Sequence, residues 1–135
     1  MPKKILLLGD SIRIGYAKYV RLAFEDVAEI FYPEENCMHT TNIIRNLCDW
    51  KESKSWSDDI DLVHWNAGIW DSLIMIDGKP LIKIDVYKEN IGRISDMINM
   101  LFPLAKVIFA TSTPVREELF TTYKCIITIQ RNITR

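Results

Sequence analysis

The sequence predicts an α/β fold with a mostly parallel sheet and helices on both of its faces. Short apolar runs alternate with longer segments whose apolar residues recur every three or four positions. The runs lack polar alternation, which is typical of strands buried on both faces. This alternation of strand and helix implies right-handed crossovers between parallel strands. The 135 residues, 48% hydrophobic and 26% charged, suit a single domain spanning residues 1–135.

Four apolar runs predict the strands of this sheet. The first, residues 5–8, is closed by Gly9, and the second is stopped by Pro33. The others precede small or polar residues, and the four runs are residues 5–8, 30–32, 60–65 and 106–111. Because the carboxyl ends of parallel strands meet at one edge, the residues after each run mark the expected ligand site.

Helical periodicity fills the segments between the runs. Ser11 begins a stretch whose predicted buried face carries Ala17, Val20, Phe24 and Val27. Capping residues at 40–42 precede a second face of Ile43, Leu47 and Trp50. The third face is the most regular, with Tyr87, Ile91, Ile94, Ile98 and Leu101. Asp77-Gly78, between apolar residues 73–76 and 81–84, predicts a hairpin away from the sheet.

Composition excludes several classes of function. With 17 basic and 18 acidic residues, the net charge of −1 gives no basic excess for nucleic acid or an anionic membrane surface. No apolar run reaches the roughly 18 residues of a membrane span, and the first residues lack a signal-peptide cleavage pattern. Three cysteines without Cys-x-x-Cys spacing, Cys37, Cys48 and Cys125, argue against a disulfide framework or zinc site. We therefore expect a cytoplasmic protein.

Two polar residues at strand ends are candidates for chemistry. Ser11 follows the first strand and begins a helix, where free N–H groups favour a developing oxyanion. Its alternative role, or that of Asp10, is simply to cap this helix. Asn66 follows the third strand, and its amide can donate to an anion or stabilise its own turn. Both should face one crevice.

Three sequence blocks carry a resemblance to a known family. Residues 5–16, Ile-Leu-Leu-Leu-Gly-Asp-Ser-Ile-Arg-Ile-Gly-Tyr, resemble the first block of the GDSL, or SGNH, hydrolase superfamily. Residues 33–37, Pro-Glu-Glu-Asn-Cys, resemble the second block, with Cys37 at the position of its glycine. Residues 66–71, Asn-Ala-Gly-Ile-Trp-Asp, resemble the third block, and residues 111–115 resemble the end of the fourth strand. The resemblance covers about residues 3 to 116.

The resemblance implies a flavodoxin-like three-layer α/β/α sandwich and a serine ester hydrolase. Ser11 would be the nucleophile, and the N–H groups of Ser11 and Cys37 with the Asn66 amide would form the oxyanion hole. Asp71 would support the Asn66 loop, and Asp10 would be a structural hydrogen-bond acceptor. The substrates would be small or carbohydrate-linked acyl esters, including acetyl esters, with no metal or organic cofactor.

One block of the family is not found. The family ends in Asp-x-x-His, which supplies the general base, whereas the two histidines here are His39 and His64. We therefore expect a domain that is truncated or frame-shifted after about residue 116, and weak or absent activity, since a serine hydroxyl without a base is a poor nucleophile. His39 is a possible substitute base, although a solvated loop position is the commoner fate. His64 is expected to pack within its strand.

Two further expectations concern ligands and partners. The alternative to an esterase is a non-catalytic module that holds a small anion or carbohydrate at the start of the Ser11 helix. Without a fifth strand, residues 106–111 would form an apolar sheet edge, which favours association. The β-branched residues 125–129 could also pair with this edge, in the same or a neighbouring molecule. We therefore expect a homo-oligomer.

Overall fold

Strands and helices alternate through the part of the chain that the structure describes. It is a computed structural model, and it describes residues 1–114. The elements are β1 (Lys3–Leu8), α1 (Ser11–Ala23), β2 (Ala28–Phe31), α2 (Thr40–Ser53), β3 (Leu62–Trp65), α3 (Ile84–Leu101) and β4 (Lys106–Phe109). All strand pairs are parallel, and the sheet order is β2-β1-β3-β4. The predicted α/β, flavodoxin-like fold is confirmed.

The register of the strands brings their carboxyl ends to one edge. Leu8 pairs with Trp65, and Trp65 pairs with Phe109. The ladder continues one step further, because the Asn66 N–H donates to Leu8 O at 3.2 Å and the Ala110 N–H donates to Trp65 O at 2.8 Å. The residues that follow β1, β3 and β4 are therefore neighbours.

The two faces of the sheet are covered unequally. On one face, side chains of β1 and β3 pack against α2 and α3 in a large core that includes Leu6, Leu8, Val63, Trp65, Ile43, Leu47, Ile94 and Ile98. On the other face, Leu7, Ala28 and Ile30 pack with Ala17 of α1. Each fully buried Leu or Ile contributes about 1.5–3 kcal/mol, so the first face supplies most of the apolar stabilisation.

Two sequence predictions need correction. α1 ends at Ala23, and Phe24 and Val27 are 45% and 58% exposed rather than part of its buried face. The chain turns at this point, because the N–H groups of Val27 and Ala28 both donate to Phe24 O. Burial in β2 then begins with Ala28.

The predicted hairpin forms as a tight turn rather than as two strands. One isolated antiparallel bridge joins Ile74 to Pro80, and Gly78 takes a φ of 76° in the turn between them. The second predicted arm does not extend, because Ile84 already begins α3. Within the described residues, this segment adds no strand to the four-stranded sheet.

Some predictions lie outside the described residues. The pairing of residues 125–129 and the expected truncation or frame shift after about residue 116 belong to this group. Within residues 1–114, no helix combines the length and apolar character needed to cross a lipid bilayer.

Candidate active site

A cleft of about 180 Å³ lies beyond the carboxyl ends of β1, β3 and β4. Its lining includes Asp10, Ile12, Tyr16, His64, Asn66 and Ser112. Ser11 is not among the lining residues, although its chain neighbours Asp10 and Ile12 are. The cleft therefore occupies the crevice in which open parallel sheets bind their ligands.

Ser11 is the first residue of α1, and it is exposed. The cap of this helix is Asp10, whose buried carboxylate accepts the Ile12 N–H at 2.9 Å. Of the two capping alternatives, the structure thus uses Asp10. Because the cap is filled by its neighbour, the Ser11 hydroxyl is not needed to satisfy the helix start.

The Asn66 side chain is directed toward the end of β4. Its amide nitrogen donates to Ala110 O at 2.5 Å and approaches the Ser112 hydroxyl oxygen at 3.4 Å. These partners are distant in the sequence, so the amide joins two strand ends rather than stabilising its own turn. Asn66 and Ser112 consequently form one polar wall of the cleft.

Cys37 lies against the end of β1. Its side chain is fully buried, and burial raises the pKa of its thiol. Its backbone N–H donates to Gly9 O at 3.0 Å. The second loop therefore lies beside the Ser11 turn, but the N–H predicted for the oxyanion hole already has an intramolecular acceptor.

Arg13, which was not among the predicted site residues, holds this second loop in place. The side chain is 2% exposed, and its guanidinium donates to Pro33 O at 2.6 Å and to Glu35 O at 2.5 Å. It also reaches Gly9 O at 3.3 Å. Arg13 precedes Ala17 by one helical turn, so the periodicity already placed a charged residue on the buried face. That conflict between charge and burial was the available signal.

Asp71 anchors the loop after β3 to α2. This buried carboxylate accepts the Thr40 N–H at 3.1 Å and the Thr40 hydroxyl. Asn90 of α3 donates to the same hydroxyl oxygen at 3.0 Å. Burial raises the pKa of Asp71, while the hydrogen bonds from Thr40 act in the opposite direction. This network joins α2 and α3 to the loop after β3, which contributes Asn66 and Ile69 to the cleft lining.

Neither histidine is arranged as a general base for Ser11. His39 caps α2, since its Nδ1 accepts the Asn42 N–H at 3.2 Å. A neutral imidazole that accepts at Nδ1 carries its proton on Nε2, so it has no free lone pair for the Ser11 proton. His64 packs edge-on to Tyr16 in the cleft, and its buried Nδ1 has no hydrogen-bond partner among residues 1–114. The geometry therefore argues against His39 as a substitute base.

Gly68 permits the close approach of the two loops beside the cleft. A Cβ at this position would overlap the Ser112 hydroxyl and lie 3.1 Å from the Tyr87 hydroxyl. Tyr87 donates to Ala67 O at 2.7 Å, and burial raises the pKa of its phenol. The sequence contained no signal for this contact, because Ser112 and Gly68 are far apart in the chain.

Comparisons with known proteins add no family to this description. No family model matches the chain, and no curated protein matches it. Within the described residues, no group of three or more His, Cys, Asp or Glu side chains could hold a metal ion. A function must therefore be argued from the site itself.

Proposed function

We propose that the chain carries a serine ester hydrolase site of the GDSL, or SGNH, type, with Ser11 as its nucleophile. One observation carries the proposal: an exposed serine, free of the capping role, begins α1 between two residues, Asp10 and Ile12, that line the cleft. Asn66 lines the same cleft from the neighbouring strand. The resemblance of the three sequence blocks supports the same assignment.

In the proposed reaction, the Ser11 oxygen attacks the acyl carbon of a small ester. The serine proton must go to a base, the alcohol leaves, and water releases the acyl group from Ser11. The positive end of α1 and the Ser11 N–H would stabilise the oxyanion of the tetrahedral intermediate. Small or carbohydrate-linked acyl esters, such as acetyl esters, are the proposed substrates, and the chemistry requires no metal or organic cofactor.

The transfer of the Ser11 proton is the step that we expect to limit the rate. His39 uses its Nδ1 to cap α2, and the Nδ1 of His64 is buried. An enzyme that loses one member of a serine triad retains only about 10³–10⁴-fold acceleration over water. We therefore expect turnover of p-nitrophenyl acetate far below the usual range of about 1–10³ per second.

Rescue by exogenous imidazole tests the proposal. Imidazole should accelerate hydrolysis of p-nitrophenyl acetate by the full chain, beyond its own background, by supplying the missing base. Ser11→Ala should abolish this excess, whereas Ser53→Ala, at the end of α2, should retain it. Equal rates for the full chain and Ser11→Ala would contradict the proposal. Turnover of about 1–10³ per second without imidazole, lost in Ser11→Ala, would instead contradict the expected weak activity.

A non-catalytic binding module is the second candidate. The observation that favours it is that the Cys37 N–H and the Asn66 amide already have acceptors inside the protein. Such a site could hold a small anion or carbohydrate without stabilising an oxyanion. Saturable binding of acetate or a simple sugar that survives Ser11→Ala, with no imidazole-dependent hydrolysis, would select it.

We also propose that the protein functions in the cytoplasm. Among residues 1–114, Cys37 and Cys48 form no disulfide, and one is buried and the other exposed. Free cysteines are typical of a reducing compartment.

A further inference from the structure

Both hydrogens of the Asn66 amide have acceptors within the protein. An amide nitrogen carries two hydrogens. One is donated to Ala110 O at 2.5 Å, and the nitrogen lies 3.4 Å from the Ser112 hydroxyl oxygen, within reach of the other. Asn66 in this position is therefore a poor direct donor to a ligand.

Ser112 is placed to donate a hydrogen bond to a ligand in place of Asn66. A serine hydroxyl that accepts from Asn66 still has its own hydrogen to give. Within residues 1–114 this hydrogen has no acceptor, and Ser112 lines the cleft. The neighbouring Tyr87 hydroxyl does not compete for a ligand, because it donates to Ala67 O. Hydrogen bonds in series polarise one another, so the Asn66 amide strengthens Ser112 as a donor.

The charged side chains that line the cleft disfavour an anionic ligand. The buried Asp10 carboxylate lines the cleft. Arg13 also lines it, but its terminal nitrogens donate to the carbonyl oxygens of Pro33, Glu35 and Gly9. The remaining guanidinium nitrogen, Arg13 Nε, has no partner within residues 1–114 but is buried. A carboxylate or phosphate would therefore meet the Asp10 charge without an accessible guanidinium donor, whereas a neutral carbonyl oxygen would meet a hydroxyl donor.

The apolar part of the cleft sets the size of the ligand. Ile12, Ile69 and Tyr16 contribute to its lining, and its volume is about 180 Å³. An apolar cavity of about 150 Å³ accommodates benzene. The space therefore suits an acyl group of roughly four to six carbons.

We infer that Ser112 is a specificity-determining residue that donates its hydroxyl hydrogen to the carbonyl oxygen of a neutral, short-chain acyl ligand, with Asn66 as its positioning residue. The inference rests on the proposed function, since the ligand carbonyl is that of the ester which Ser11 would attack. It differs from the expectation for Asn66, whose amide was predicted to be the donor itself.

Titrations followed by amide NMR test this inference on the full chain. The probes are butyramide, which offers a neutral carbonyl, butyrate, which adds a charge, and cyclopentane, which is apolar and has no acceptor. Butyramide should bind at least tenfold more tightly than butyrate. Ser112→Ala should weaken butyramide about five- to tenfold, the size of one neutral hydrogen bond, and leave cyclopentane unchanged. Ser53→Ala, which removes a hydroxyl at the end of α2, outside the cleft lining, should change neither.

The outcomes separate this inference from the proposed function. Butyramide binding that is unchanged in Ser112→Ala, or absent in the unmutated chain, would overturn the inference, as would tighter binding of butyrate. If Ser112→Ala weakens cyclopentane equally, its role is structural and the inference also fails. Amide spectra of each variant report whether the fold is intact. Ser112-dependent binding without any Ser11-dependent hydrolysis would retain the inference while rejecting the proposed function.

Discussion

The two sides of the Ser11 turn differ in how their hydrogen bonds are used. On the clamped side, formed by Gly9, Arg13 and the loop of residues 33–37, the terminal nitrogens of Arg13 and the Cys37 N–H donate to backbone carbonyls, while the buried Arg13 Nε has no partner within residues 1–114. On the cleft side, formed by Asn66, Ser112, His64 and Tyr16, the Ser112 hydroxyl hydrogen and the His64 Nδ1 have no partner within residues 1–114. The comparison indicates that one side holds the turn in place and the other is available to a ligand.

The largest expected effect comes from breaking the clamped side. Arg13→Met keeps an apolar stem but leaves the carbonyls of Pro33 and Glu35 without their donor. Because each buried unsatisfied group costs about 1–3 kcal/mol, the free energy of unfolding should fall by about 3 kcal/mol in urea titrations. Arg21→Met is the matched control on α1, since this exposed arginine donates one hydrogen bond to Ile30 O. Equal losses for both variants would contradict a specific clamp.

Gly68→Ala tests whether a steric clash with Ser112 weakens ligand binding in the cleft. The added Cβ would displace the Ser112 hydroxyl. We expect a loss of about 1–3 kcal/mol in stability and weaker butyramide binding, as in Ser112→Ala. In Gly92→Ala the new methyl group meets open space on α3, so stability should rise by up to about 1 kcal/mol with binding unchanged. Unaltered butyramide binding in Gly68→Ala would show that Ser112 does not depend on this contact.

Asp71 makes the stability of its hydrogen-bond network with Thr40 and Asn90 dependent on pH. Because burial raises its pKa in the folded state, the protonated form is favoured on folding. This contribution to stability is fully present below the ordinary aspartate pKa of about 3.9, and it is lost as the pH rises through the raised value. In urea titrations across this interval, unfolding free energies of the unmutated chain should fall relative to Asp71→Asn. A constant difference between the two proteins would reject the raised pKa.

The smallest expected effect concerns association through the edge of β4. Within residues 1–114, β4 ends the sheet, and Ile108 on this strand is 38% exposed. We expect a homo-oligomer through this edge at micromolar concentration, and Ile108→Lys should shift it toward monomer, because an edge charge opposes strand pairing. Ile84→Lys adds the same charge at the exposed first residue of α3 and should leave the oligomeric state unchanged. Light scattering that detects only monomer of the unmutated chain would contradict the expectation.

The fold was predictable wherever a local pattern determined it. The apolar runs and the start of α1 at Ser11 followed from periodicity. The cap predicted at residues 40–42 was wrong, because His39 caps α2 and Thr40 is its first helical residue. The other errors arose where the apolar spacing in the sequence continued past the end of a helix or turn in the structure. Phe24 and Val27 fit the helical period, but the chain turns at Phe24, and the predicted second arm of the hairpin leads into α3 at Ile84.

The sequence by itself determined that Ser11 and Asn66 stand at strand ends on the same edge, because a parallel sheet leaves them no other place. Only the tertiary structure decided which hydrogen bonds Asn66 and the groups around Ser11 make. The Asn66 amide meets Ala110, the Cys37 N–H meets Gly9, and the Arg13 guanidinium meets Pro33 and Glu35. Hydrogen bonds have a short range, and these partners lie far apart along the chain. Their pairing therefore depends on distances that exist only after the sheet has formed.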